Sequence, residues 1–535
     1  MAPVLDSSQS KAVASNTKRL LVAAGPGSGK TRVLCARFIR LVKEGADPGR
    51  ILAVTFTNRA AAEMKERISH GLGRAALLNI STFHSLCLRV LRKEKPGLRL
   101  IPRIEARALL KELGAREPDR ELEKISAFKN GMLGKDQMDR PLFDSYSQRL
   151  RDEGALDFDD LVPEASMLLE RQGTTSFDHL MIDEYQDINP VQAALVKVLS
   201  KGASSLMAIG DPDQAIYSFR GSSIRCFLDF EKEYDGAQRV CLSKNYRSGR
   251  AVVEASIALI SNNTERLEND IRTEKEGGAI TCVECADERD EAAFIIKEVE
   301  RLMGGLTNRT ASYDTGYRFS DFAVLARTNK QAEYIAEEFS RSPIPFHLVK
   351  PPRPVFTEFL RSMQGRDMPE DAEPVRFLKE EAVKAGIEGE WLDSILTPVC
   401  GENYSLERLI DELMLSMPSD DMDIKADKVN IMTLHSAKGL EWRCVFLAGV
   451  EDGLIPMRLK GECDIEEERR LFYVGMTRAK DELFLLAAKK RRVWGEERES
   501  RRSPFLEEIP ASLMERRSVE RKKPHKRPVQ KGLFE

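Results

Sequence analysis

The chain has 535 residues, 42% of them hydrophobic and 32% charged, an ordinary globular composition long enough for three to four domains at about 150 residues each. With 83 Lys/Arg against 86 Asp/Glu the formal charge is −3, which taken whole argues against a protein that grips polyanions. The average hides strong local imbalances: residues 89–111 carry a net +6, residues 351–428 a net −9 and residues 511–535 a net +5.

In chain order, RLLVAA (19–24), ILAVTF (51–56), HLMIDE (179–184) and LMAIGD (206–211) read as buried strands alternating with helical patterns. Between them, roughly 90–176 reads as helical, as in EARALLKEL and FDDLVPEASMLLE. A second strand series follows: AITCVE (279–284), DFAVLAR (321–327), VNIMTLH (429–435), CVFLAG (444–449) and ELFLLAA (482–488). It too is interrupted, by short, mostly helical pieces over 351–428. The expected class is α/β: two lobes with parallel sheets, each carrying a helical insertion. The start MAPVLDSSQSK lacks the basic and apolar parts of a secretory signal, and no apolar run approaches the length of a bilayer span. Nine scattered cysteines suit a reducing compartment; Cys282 and Cys285 form the only C-x-x-C and are read as small apolar strand residues.

AGPGSGKT, Ala24–Thr31, joins a strand pattern to a helical one and fits P-loop spacing with Ala24 at the first glycine position. Gly25, Gly27 and Gly29, with Pro26 and Ser28 between them, let backbone N–H groups turn toward phosphate oxygens at a helix start. Lys30 would reach the terminal phosphates and Thr31 would hold Mg²⁺. HLMIDEYQD supplies the acids expected at a strand end: Asp183 to bind Mg²⁺ and Glu184 to polarise an attacking water. Together these residues point to hydrolysis of Mg-ATP or Mg-GTP.

From Leu5 to Ala479 the chain also resembles, motif by motif and in order, the UvrD/Rep/PcrA group of superfamily 1 DNA helicases. The motifs are LDSSQSKAV, the P-loop, TFTNRAAAEMKERI (55–68), STFHSLC (81–87), LDFDDL (156–161) and the Walker B segment. GDPDQAIYSFRG (210–221), LSKNYRS (242–248), TLHSAKGLEW (433–442) and EEERRLFYVGMTRAK (466–480) complete the series. The resemblance implies two RecA-like lobes, ATP as the nucleotide and 3′→5′ movement on DNA. It implies that Gln9 reads adenine, Tyr246 stacks on it, Gln214 senses the γ-phosphate, and Arg247 and Arg478 act as arginine fingers. Arg37, on the P-loop helix, is expected to touch the nucleotide, and Arg220 to pair with an acid at the lobe junction. Phe56, Thr57, His84, Tyr217, Phe219 and His435 are the expected DNA contacts, with Phe219 where the family more often has Trp. His435 and Glu441 are expected to link DNA contact to the ATP site, and the basic stretch 89–111 to track phosphates.

The resulting layout is lobe one at 1–89 and 177–244, its insertion at 90–176, lobe two at 245–350 and 429–510, and a shortened acidic insertion at 351–428. Residues 511–535 are expected to be a disordered basic tail ending in QKGLF. In that peptide Gln530, Leu533 and Phe534 match the Q-x-x-L-F pattern that binds the bacterial sliding clamp. The expected activity is an ATP-dependent, Mg²⁺-requiring single-stranded DNA translocase and helicase of repair, replication or recombination. Its expected substrates are single strands and single/double-strand junctions, in the cytoplasm at the nucleoid, or in the nucleus of a eukaryote. The alternatives are a translocase that displaces proteins with little unwinding, and a non-motor scaffold with a vestigial ATP site.

Overall fold

The computed structural model describes residues 5–73, 78–173, 176–304, 316–349, 354–369, 372–387, 390–396, 405–415, 426–458, 463–493 and 496–519. In lobe one, strands β1 (Arg19–Ala24), β2 (Ile51–Thr55), β3 (Asn79–Thr82), β4 (His179–Ile182), β5 (Ser205–Gly210) and β6 (Gln238–Leu242) form one parallel sheet. Their order is β3-β2-β4-β5-β1-β6. Helices cover both faces, so alternate residues of one strand enter different cores: Leu21 and Ala23 pack on one side of β1, Leu20, Val22 and Ala24 on the other. That double burial is why these strands read as continuous apolar runs.

Lobe two repeats the plan with β7 (Ala279–Asp287), β8 (Phe322–Ala326), β9 (Phe346–Leu348), β10 (Val429–Thr433), β11 (Trp442–Leu447), β12 (Ala479–Val493), β13 (Glu496–Glu499) and β14 (Glu515–Ser518). The order is β9-β10-β8-β11-β12-β7-β14, all parallel, with β13 folding back antiparallel on β12. Cys282 and Cys285, three apart on β7, enter cores on opposite faces of this sheet and cannot share a ligand.

Each insertion has its own core. In the first, helices Arg103–Glu112, Pro118–Lys129 and Arg140–Asp152 enclose Leu110, Ile125 and Tyr146. In the second, helices Pro354–Met363, Pro374–Lys384, Glu390–Leu396 and Leu406–Met414 enclose Leu360, Leu378 and Leu409. The acidic second insertion docks on lobe one. Asn58 Nδ2 donates to Glu412 O at 2.9 Å, Ser85 Oγ to Glu412 Oε2 at 2.8 Å, and Arg92 pairs with Asp411 and, at 3.1 Å, with Glu407.

Several expectations shift. Helix Phe83–Glu94 runs through the boundary drawn at 89/90, and helix Leu161–Gln172, assigned to the insertion, buries Leu161, Val162 and Ala165 in the lobe-one core. An amphipathic helix displays an apolar face without naming the sheet that receives it. The boundary at 510 moves as well, because β14 pairs with β7 and belongs to lobe two. All four of its residues are exposed, so it joins by backbone hydrogen bonds and leaves no apolar pattern to find. The clamp-type peptide, Gln530 to Phe534, lies outside the described residues.

The basic stretch is also rewritten by its neighbours. Arg92 is engaged by the acidic insertion, Arg99 pairs with Glu105 and Glu153, Arg103 with Glu123, and Arg107 with Asp119. Carboxylates outside the stretch, Asp411, Glu153, Glu123 and Asp119, supply counter-charge, so the expected phosphate-tracking surface is reduced.

Candidate active site and nucleic-acid interface

The P-loop leaves the C-terminal end of β1, where open α/β sheets bind their ligands. Gly27 (φ 64°) and Gly29 (φ 81°) are in left-handed conformation, and a Cβ on Gly27 would fall 2.6 Å from Arg247 Cβ. Ala24 is the last residue of β1, Gly25 N–H donates to Leu242 O at 3.2 Å, and Ser28 Oγ closes the loop onto Gly25 O at 2.7 Å. The segment carrying Arg247 zips onto the same loop. Asn245 Nδ2 donates to Pro26 O at 2.7 Å, and Tyr246 N–H to Gly27 O at 2.9 Å.

Gln9 is fully buried and donates through Nε2 to Ser28 O at 2.9 Å, which fixes it against the loop. Tyr246, 46% exposed, donates its phenol to Asp6 Oδ2 at 2.6 Å. Arg37 is a correction. It is buried away from the cleft, and its Nη1 donates to the carbonyls of Ala12 (3.0 Å), Val13 (3.3 Å) and Ser15 (2.7 Å) at the end of helix Ser7–Ala14. It braces that helix by satisfying carbonyls that have no intrahelical partner. The arginine of this helix that lines the cleft is instead Arg32, five residues earlier and near enough to Tyr246 for its charge to act on the phenol. The signal was its place two residues after Lys30, at the phosphate-facing start of the helix.

Lys30 Nζ lies 3.0 Å from Glu184 Oε2 in a half-buried ion pair. Burial opposes the lysine charge, but Glu184, Asp211 and Asp183 outweigh it and hold the ammonium charged. Burial also works against the Glu184 carboxylate, yet Lys30 and Lys438 overcome it and bring the group down to about 2. Asp183 goes the other way, pushed up to about 7 by burial and by Glu184 against the pull of Lys30. Its Oδ1 is buried without a hydrogen-bond partner, while Oδ2 accepts from Thr55 Oγ1 at 3.4 Å. An orphaned carboxylate oxygen facing the cleft that Thr31 also lines is a donor set for a hard cation.

Lobe two closes the other wall of this 740 Å³ cleft. Arg478 is buried at the junction, donating from Nη2 to Gln214 Oε1 (3.1 Å) and from Nε to Val474 O (2.9 Å), while Gln214 Nε2 donates to Asp211 Oδ2 at 2.5 Å. Burial and the neighbouring Arg247 pull Arg478 down to about 9, which leaves it charged at neutral pH. Arg247 Nε donates to Glu441 Oε2 at 2.6 Å, and Glu441 also pairs with Lys480 at 2.7 Å. Lys438, which sequence reasoning left unassigned, bridges Asp187 and the Gln214 carbonyl. Nothing in its local pattern separates it from other motif lysines; only lobe packing brings it there.

Beyond Gln214 the same segment becomes aromatic. Tyr217 stacks on Phe56 with centroids 5.6 Å apart and planes 6° from parallel. Phe219, 63% exposed, lies edge-on to Tyr217 (6.0 Å) and to His435 (5.4 Å), and Arg220 lies over the Tyr217 and Phe219 rings at 5.4 and 5.7 Å. Burial and three nearby cations, Arg327, Arg220 and Lys438, lower His435 to about 3, so it is a neutral ring at physiological pH. Thr57 caps helix Asn58–Leu72, accepting from Ala60 N–H at 3.1 Å beside Phe56. His84 sits at the start of helix Phe83–Glu94, with Asp159 and Arg220 as charged neighbours.

Comparison with known proteins decides the family. The UvrD/REP helicase N-terminal domain matches residues 5–235, and the UvrD-like helicase C-terminal domain matches residues 240–356 and 387–490. The chain belongs to the UvrD-like helicases. Among its relatives, the ATP-dependent DNA helicase PcrA of Staphylococcus aureus (strain MRSA252) is 30% identical over 647 residues, covering 96% of this chain and 87% of the relative. PcrA of Staphylococcus epidermidis (strain ATCC 35984) is 30% identical with the same shares, and PcrA of Staphylococcus aureus (strain Mu50) is 31% identical. The aligned 647 positions exceed the 535 residues of this helicase, so the relatives carry segments it lacks. The two lobes are the family's RecA-like domains, and the enzyme is an ATP-dependent DNA helicase. Among the described residues no helix is long and apolar enough to cross a membrane.

Proposed function

We propose that this helicase moves 3′→5′ along single-stranded DNA, using Mg-ATP, and separates strands at single/double-strand junctions in repair, replication or recombination. The observation that carries the reading is one short segment serving both ligands. Gln214 meets Asp211 and Arg478 on the nucleotide side, and three to five residues later Tyr217 and Phe219 present stacking faces. A shift of lobe two against Gln214 therefore moves the aromatic platform. Thr31 and Asp183 would hold Mg²⁺, which screens phosphate charge when bound. Glu184 polarises the attacking water, Lys30 steadies the phosphates, and Arg247 and Arg478 complete the site from lobe two. Polarity follows the family resemblance.

Tailed duplexes with either overhang test this reading. Unwinding from a 3′ overhang is expected, and preference for a 5′ overhang overturns the polarity. DNA-stimulated ATP hydrolysis lost in Lys30→Ala separates the motor from a scaffold.

A second reading, translocation that strips proteins with little unwinding, is favoured by the acidic insertion, which turns carboxylates rather than cations toward lobe one. Fast displacement of a DNA-bound protein with slow strand separation would select it. We also propose that Gln530, Leu533 and Phe534 bind a bacterial sliding clamp, and that the enzyme works at the nucleoid. Removing the last six residues should abolish clamp binding and spare ATP hydrolysis.

A further inference from the structure

Gln186 has no exposed surface, and the roles described above leave it unused. Its Nε2 donates to Glu184 Oε2 at 2.7 Å and to Asp187 Oδ2 at 2.9 Å, and its Oε1 accepts from Asp211 N–H at 3.0 Å. The last bond settles the amide's orientation. A backbone N–H can only donate, so the oxygen must face Asp211 and the nitrogen the two carboxylates. The end of β5 is shaped for this contact: a Cβ on Gly210 would land on Gln186 Oε1, closer than any non-bonded approach. Gly210 has no left-handed φ, so its glycine serves the close approach and not the backbone.

On its other side, Asp187 Oδ2 receives the Lys438 ammonium from lobe two. Lys438 also lies 5.0 Å over the Tyr217 ring, the centre of the aromatic platform. A hydrogen-bonded chain thus runs from Lys438 through Asp187 and Gln186 to Glu184. Glu184 needs such a clamp: it is the only non-glycine with positive φ (49°) among the described residues, a strained conformation that persists only when its surroundings over-determine it.

We propose that Gln186 is a positioning residue that transmits the docking of Lys438 to Glu184, so that hydrolysis accelerates when DNA draws the lobes together. The inference rests on the reading of Glu184 as the water-polarising group. Gln186 donates to Oε2, the same Glu184 oxygen that Lys30 approaches, so that oxygen keeps a donor and Glu184 stays aimed when Lys30 turns to phosphate.

The test uses the full-length protein and steady-state ATP hydrolysis with and without a single-stranded oligonucleotide. Gln186→Glu keeps the shape and the acceptor for Asp211 while losing the donor, and Gln186→Met removes both. DNA-stimulated kcat should fall about 30-fold or more in each, with KM for ATP and the Kd for the oligonucleotide within about threefold of wild type. In the Gln186→Glu background, Lys438→Met should subtract less than about twofold further, because both act through one chain. Stimulated kcat within about threefold of wild type, or fully additive losses, overturns the proposal. So does a pattern in which KM, Kd and thermal stability all worsen together, the mark of a merely structural role. Glu184→Gln separates the two levels. Near-wild-type turnover there refutes the reading of Glu184 itself, whereas a dead Glu184→Gln beside an active Gln186→Glu refutes only the role of Gln186.

Discussion

Arg478 offers the sharpest quantitative test of how lobe two completes the site. Its guanidinium spreads four hydrogen bonds over Val474 O, Leu440 O, Thr477 Oγ1 and Gln214 Oε1, and only the last crosses to lobe one. Arg478→Ala removes the charge and the crossing bond together. An arginine finger is worth about 10³–10⁵ in rate, which is roughly 4–7 kcal/mol at 1.36 kcal/mol per decade. Arg478→Lys keeps the charge on a shorter, point-like head. Moving a unit charge from about 4 to about 6 Å of its target at an effective dielectric of 20 weakens the interaction by roughly 1.4 kcal/mol, and the lost fork adds about one neutral hydrogen bond. DNA-stimulated kcat should therefore fall at least about 10³-fold in Arg478→Ala and about 10- to 100-fold in Arg478→Lys, with KM for ATP little changed. Steady-state hydrolysis on saturating oligonucleotide, with thermal unfolding in parallel, measures both. A folded Arg478→Ala within tenfold of wild type, or the two variants equal, refutes the assignment.

Three further outcomes follow from the same geometry. Phe219→Ala should weaken single-strand binding by about 1–3 kcal/mol and Phe219→Trp should strengthen it, read by fluorescence anisotropy; equal affinities would remove Phe219 from the platform. Arg37→Met strands three carbonyls, two of them in buried bonds, and should destabilise lobe one by about 3 kcal/mol, while nucleotide affinity stays within about twofold; a large affinity loss would restore Arg37 to the nucleotide site. His435, lowered to about 3 from an ordinary 6.5, binds fewer protons folded than unfolded between those values, so its share of stability is complete above pH 6.5 and is lost as pH falls toward 3. By pH 5 about 2 kcal/mol of that share is lost at most, nearer 1 after solvent screening, and His435→Gln should flatten the fall in denaturation midpoint between pH 7 and 5.

Much of this was legible in the linear chain because the relevant constraints are local. A strand, a glycine turn with positive φ at Gly27 and Gly29, and a helix starting at Lys30 are neighbours in sequence, so the P-loop declares itself. The same holds for Asp183 and Glu184 at the end of β4, and for Gln214, Tyr217 and Phe219 within one short segment. Motif order then carried the pairing of two α/β lobes.

What only the tertiary structure decided are relations between residues far apart in the chain. Arg37 and Arg32 lie on one helix, but the carbonyls of helix Ser7–Ala14 claim the first and leave the second to the cleft. The positive stretch around Arg92 looked free for phosphate until Glu407 and Asp411, more than three hundred residues away, supplied its counter-charge. The chain Lys438–Asp187–Gln186–Glu184 exists only once both lobes are packed. Residue type and spacing determine which groups can do chemistry. Which of them face one another, and which are neutralised, depends on desolvation and contact, and those belong to the fold.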